Sequence, residues 1–148
     1  MAKKLVKSPF TVDKTTDNVT FLSADLDSVA EWKDMLSYPV PLGTAIEITP
    51  VNYIFGQYYA TDTTTQITGG STRILKQNAN GTESREIWKG NNGIFGDIGD
   101  IRKRPQLRVP VMISASQKLV VQIYNLGTTL DSVASDFQVE CMQYYEEI

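Results

Sequence analysis

Histidine is absent from the 148 residues, and cysteine occurs once, at Cys141. The usual general base at neutral pH, the commonest metal ligand and the usual pH switch are therefore missing. Ser-His-Asp and Cys-His catalysis are excluded, as are zinc sites built on His or several Cys. Paired carboxylates are the remaining route to hydrolysis. Glu83 and Glu86 share one expected strand and point to opposite faces, so they do not flank a substrate together, and Glu146 and Glu147 lie at the terminus. Asp97 and Asp100, in GDIGDI, suit a hard cation by chemistry but lack EF-hand spacing, and Asp beside Gly is ordinary turn chemistry. Cys141 alternates with apolar neighbours and reads as a buried filler rather than a nucleophile. The Gly-rich stretches lack GxxxxGK[ST], so no phosphate loop is present. No catalytic, metal-binding or cofactor-binding residue is assigned, and no enzyme is expected.

What remains is recognition. Arg102, Lys103 and Arg104 form a short basic run beside Asp97 and Asp100, which reads as a solvated loop with its own counter-charges. Tyr53, Tyr58, Tyr59, Trp88 and Tyr124 would line a sugar platform if several shared an exposed face; strand aromatics more often serve a core or an interface. A net charge of −3 argues against a general nucleic-acid binder. No apolar run approaches the ~20 residues that cross a bilayer. MAKKLVKSPF has no apolar stretch behind its lysines, so no signal peptide is read and synthesis in a cytoplasm is expected.

The elements that must position these residues are mostly strands. Residues 106–125, QLRVPVMISASQKLVVQIYN, hold two alternating runs around Ser114-Ala115-Ser116. Side chains alternate between faces along a strand, so each run offers one apolar face. The two are expected to be neighbouring ribbons hiding Leu107, Val109, Val111, Leu119, Val121 and Ile123. TAIEIT (44–49) puts Ile46 and Ile48 on one face, and NYIFGQYYA (52–60) is aromatic-rich with Gly56 as a candidate bulge. STRILKQ and TESREIWKG flank Asn78–Gly81, a hairpin signal, because Asn and Gly tolerate positive φ. DFQVECMQYY (136–145) alternates Phe137, Val139 and Cys141 inward. Residues 61–70 are too polar for a core. Residues 24–37 read as one short helix, capped by Ser23 or Asp25 and stopped by Pro39 and Pro41, with Trp32, Met35 and Leu36 forming an apolar cluster. Residues 1–16 show no period and read either as a frayed terminus or as an extended arm that orders on a neighbouring subunit. The expected layout is mainly β: an N-terminal arm with a short strand and helix over 1–40, then an antiparallel jelly-roll-like β-sandwich over 41–148.

PQLRVPVMISASQKLVVQIYNLGTT (105–129) and PVPLGTAIEITP (39–50), with the arm before them, resemble the head decoration and auxiliary capsid (cement) proteins of tailed bacteriophages. The resemblance covers roughly residues 39–145 and rests on structural turns. It implies a structural virion protein on the capsid exterior that clamps neighbouring capsomers. The implied partners are the major capsid protein and further copies of the chain, with a trimer favoured. Leu5, Val6 and Phe10 on the arm and Trp32 and Met35 on the helix are then the expected contact residues. A carbohydrate- or receptor-binding sandwich of a head fibre or tail accessory protein is the alternative.

Overall fold

The computed structural model of the chain describes residues 4–21, 31–62, 64–96, 104–124, 126 and 128–147. Its strands, in chain order, are β1 (Lys4–Val12), β2 (Thr20–Phe21), β3 (Trp32–Pro39), β4 (Thr44–Ile48), β5 (Ile54–Gln57), β6 (Ser71–Asn78), β7 (Ser84–Asn91), β8 (Val111–Ser114), β9 (Gln117–Tyr124) and β10 (Asp136–Glu147). A short 3-10 helix, Asn92–Gly96, follows β7.

The strands form two antiparallel sheets. The first runs β1-β10-β4-β8, with β5 also on β10; the second runs β2-β3-β9-β6-β7. β4 and β5 occupy successive stretches of one edge of β10, at Met142–Tyr145 and Asp136–Val139. Pro50 lies in the break between them. There the Thr49 N–H donates to Asn52 Oδ1 at 2.9 Å and the Tyr53 N–H to Glu140 Oε1 at 2.9 Å.

Setting β2 aside and counting β4 with β5 as one interrupted strand, the pairings nest. β6 pairs β7, β4 pairs β8, β3 pairs β9 and β1 pairs β10. Rolling this nested hairpin adds β10 to β4 and β9 to β6, which is the jelly roll. The core lies between the sheets. Ile46, Ile48, Ile54, Ile113, Phe137 and Val139 come from the first; Leu36, Ile74, Leu119 and Val121 come from the second. Burying each such side chain stabilises the fold by roughly 1.5–3 kcal/mol.

One end of the core is aromatic. Phe95, 3% exposed, is carried in by the 3-10 helix, and its ring centroid lies 5.9 Å from Tyr58, 6.0 Å from Phe137, 6.1 Å from Trp88 and 6.4 Å from Phe55. Gly56 lies under this cluster. A Cβ there would stand 3.0 Å from both the Phe95 and Tyr58 rings, so Gly56 serves close packing, and β5 pairs β10 in regular register with no bulge at that point. A buried polar chain adjoins it. The Tyr58 hydroxyl is 2.9 Å from Thr72 Oγ1, Thr72 Oγ1 donates to Asn92 Oδ1 at 2.6 Å, and Asn92 Nδ2 donates to the Gly69 carbonyl at 3.1 Å.

The expected strands over 44–49, 71–77, 82–90 and 136–145 are present, as is the hairpin between β6 and β7. Four expectations are corrected. Helix 24–37 is replaced in its second half by strand β3; residues 22–30 lie outside the described part. A bulge between Asp34 and Leu36 brings both Met35 and Leu36 inside. That breaks strict alternation and spaces the apolar residues as a helix would. The stretch read as an arm is mostly edge strand β1, paired along its length with β10, so both sheets draw strands from either side of residue 40.

The two central runs are not side by side. β8 pairs β4 in the first sheet, and β9 pairs β3 and β6 in the second. The turn between them therefore crosses the sandwich, with Ser116 at φ 73° and Gln117 Oε1 accepting from the Ser114 N–H at 2.9 Å. Last, Val109 is 61% exposed, while Leu107, Val111, Leu119, Val121 and Ile123 are buried. Pro110 has no N–H to give a ladder, and β8 begins only after it.

Candidate interaction surfaces

The expected contact residues do not form one patch. β1 alternates, so Leu5 points outward and is 64% exposed, while Val6 and Phe10 are half-buried. The Phe10 ring meets Tyr38 of the opposite sheet at 6.1 Å. Met35 is 1% exposed and belongs to the core. Trp32 is half-buried and sits on the second sheet.

Leu5 borders a shallow cleft of about 350 Å³ on the first sheet, lined also by Gly43, Thr44, Ala45, Ser114 and Tyr144. The Tyr144 hydroxyl donates to Glu47 Oε1 at 3.0 Å, and the Lys7 ammonium lies 5.4 Å from the Tyr144 ring centroid. The Tyr144 hydroxyl beside it raises the Lys7 ammonium above its ordinary value. Leu42, 86% exposed, stands next to Gly43 in the β3–β4 turn, where φ is +79°. This end therefore offers exposed apolar side chains around a small hollow.

The outer face of the second sheet is different. Register aligns Trp32 with Tyr124 and Asp34 with Gln122, then Tyr124 with Ser71 and Gln122 with Arg73, then Ser71 with Asn91 and Arg73 with Lys89. Directly opposed residues share a face. Two rows thus cross four strands: Trp32–Tyr124–Ser71–Asn91, and Asp34–Gln122–Arg73–Lys89. The Trp32 and Tyr124 rings are 5.2 Å apart. Arg73 Cζ lies 4.2 Å from the Trp32 centroid and Lys89 Nζ 5.5 Å from it. Arg73 Nε donates to Gln122 Oε1 at 2.8 Å, and Gln122 Nε2 donates to Asp34 Oδ1 at 2.7 Å. Glu86 Oε2 lies 3.8 Å from an Arg73 guanidinium nitrogen.

Of the aromatics singled out in the sequence, Tyr58 is 1% exposed and Trp88 packs on Phe95, so the five do not make a common platform; Tyr124 instead joins Trp32. Asp97, Asp100, Arg102 and Lys103 lie outside the described residues. Arg104 stacks over Phe55, 4.4 Å from its centroid. Among the described residues no three His, Cys, Asp or Glu side chains gather where a metal ion would fit. Burial pushes the Cys141 thiol up to about 12, so at neutral pH it is protonated inside the sheet. No helix among the described residues is long and apolar enough to cross a membrane.

The sequence matches no family model and no curated protein. The fold is similar to that of VP17, a capsid protein of bacteriophage P23-77, with a TM-score of 0.68 over 100% of both chains at 7% identity. It is also similar to the VP16–VP17 complex, a complex of the two major capsid proteins of bacteriophage P23-77. That match has a TM-score of 0.66 at 7% identity, over 93% of this chain and 98% of that chain. At such identity the likeness is one of fold.

Proposed function

We propose that the chain is a structural protein of a virion, whose jelly roll packs against other capsid subunits. The observation that carries this is the end-to-end likeness in fold to VP17, a capsid protein. The chemistry agrees: no histidine, one inert thiol, and side-chain surfaces suited to contact.

The finer reading is a clamp on the shell exterior, bound to the major capsid protein and self-associating, with a trimer favoured. Leu5 and Leu42 are the contact residues this reading needs, because both are exposed and Leu5 shares a cleft with Gly43, the neighbour of Leu42. Modest patches suffice there, since several contacts made at once multiply weak affinities. Immunodetection in density-purified particles tests the main reading, and absence of the chain from them would refute it. Stepwise dissociation then tests the clamp. A clamp leaves an intact shell behind, whereas a chain released only when the shell dissolves is a wall subunit.

A further inference from the structure

We propose that the outer face of the second sheet is a binding site for a neutral oligosaccharide, with Trp32 and Tyr124 as the stacking surface and Asp34, Gln122 and Arg73 as the hydrogen-bonding row beside it. This does not depend on the virion reading, and it uses residues that the sequence alone did not bring together.

The register builds the site. Strands spaced by about 4.8 Å carry each row some 14 Å across β3, β9, β6 and β7, and rows two residues apart are separated by about 7 Å. That footprint suits a short chain of linked rings better than a single small molecule. One row is aromatic at its β3–β9 end, with the Trp32 and Tyr124 rings 5.2 Å apart, and sugar rings lay their carbon–hydrogen faces on such rings. The other row is polar and already ordered. Arg73 and Asp34 hold the two ends of the Gln122 amide, which fixes which end donates and which accepts. The row thus presents both donors and acceptors, a mixture that hydroxyl groups satisfy because each hydroxyl does both.

Charge decides between ligand classes. Arg73 and Lys89 contribute two positive charges, and Asp34 and Glu86 two negative. The neighbouring Lys33 and Glu31 lie 3.9 Å apart and also cancel. The patch of these two rows is thus neutral, with Lys118 on the same face four residues from Gln122 along β9, and gives no strong attraction to phosphate, nucleic acid or an acidic peptide. A neutral polyhydroxylated ligand meets no such penalty.

The test is saturation-transfer NMR on the whole chain with maltotriose, cellotriose and tri-N-acetylchitotriose, with sialyllactose and inorganic phosphate as charged probes. The expected result is transfer to ring protons of at least one neutral trisaccharide, at millimolar affinity or better. Trp32→Leu should weaken that binding at least tenfold. Asp34→Asn, at an exposed position, should do so without disturbing the fold, and circular dichroism checks both variants. Absence of transfer to all three neutral sugars overturns the proposal. So does binding that both variants retain in full, or binding of the charged probes alone.

Discussion

Thr72→Val should destabilise the protein more than the Tyr58→Phe/Thr72→Val pair does, although the pair removes more. The reason is the direction of the buried chain. Asn92 Nδ2 is committed to the Gly69 carbonyl, so Asn92 presents its oxygen to Thr72. Thr72 must spend its only hydrogen there, and Tyr58 must donate to Thr72 Oγ1. Tyr58→Phe removes a donor and leaves only a lone pair on Thr72, a loss of about 0.5–1.5 kcal/mol. Thr72→Val strands two buried groups, the Tyr58 hydroxyl and Asn92 Oδ1. At about 1–3 kcal/mol each, the sum is roughly 2–6 kcal/mol. For 148 residues, an unfolding entropy of about 2.1 cal/mol/K per residue makes 1 kcal/mol worth about 3 °C of Tm. The single Thr72→Val variant should therefore melt about 6–18 °C low, and adding Tyr58→Phe should recover roughly 3–9 °C of that. Calorimetry of the four proteins closes the cycle. A double variant less stable than Thr72→Val by the full cost of Tyr58→Phe would falsify the assigned direction.

Other perturbations probe other levels. Gly56→Ala places a methyl 3.0 Å from the Phe95 and Tyr58 rings, so a loss of about 1–3 kcal/mol is expected in denaturant unfolding; an unchanged midpoint would mean the rings yield freely. The Cys141 thiol has a folded pKa raised from 9.0 to about 12. Its share of stability is thus whole below pH 9 and is lost as pH rises from 9 towards 12, because the unfolded chain ionises first. Native protein should accordingly resist a thiol reagent at pH 8 and react on unfolding; rapid native labelling contradicts the burial. Leu5→Ser with Leu42→Ser should leave Tm within about 2 °C yet abolish attachment to empty shells, measured by co-sedimentation, and undiminished attachment would move the contact elsewhere.

Legibility in the sequence followed the range of the interactions. The β6–β7 hairpin was readable because Asn78–Gly81 encodes its own turn, and the inward faces of β4 and β10 because alternation is local. The pairing of β8 and β9 was not. Each run keeps its period whether its neighbour lies beside it or across the core, so periodicity does not distinguish the two. β3 was misread because its bulge imitates helical spacing at Met35 and Leu36. That error also hid the polar–aromatic face, since Trp32 and Asp34 share a side only on a strand. Asp62 shows a purely local device that needed no tertiary knowledge. The hydroxyl and N–H of Thr65 and the N–H of Thr64 donate to its carboxylate and hold it below the ordinary range.

The nesting of the pairs has a temporal meaning. Asp136–Glu147 follows its partner Lys4–Val12 by more than a hundred residues of chain, so the one strand is made well before the other. At ~5–20 residues per second, the first strand waits on the order of ten seconds with its backbone unpaired. Closure of this pair thus waits until β10 has been made, and in the interval β1 is open to the matching edge of another copy. Lys7 and Pro9, a charge and a missing N–H in the middle of that strand, are the features that make such a mistaken marriage unfavourable.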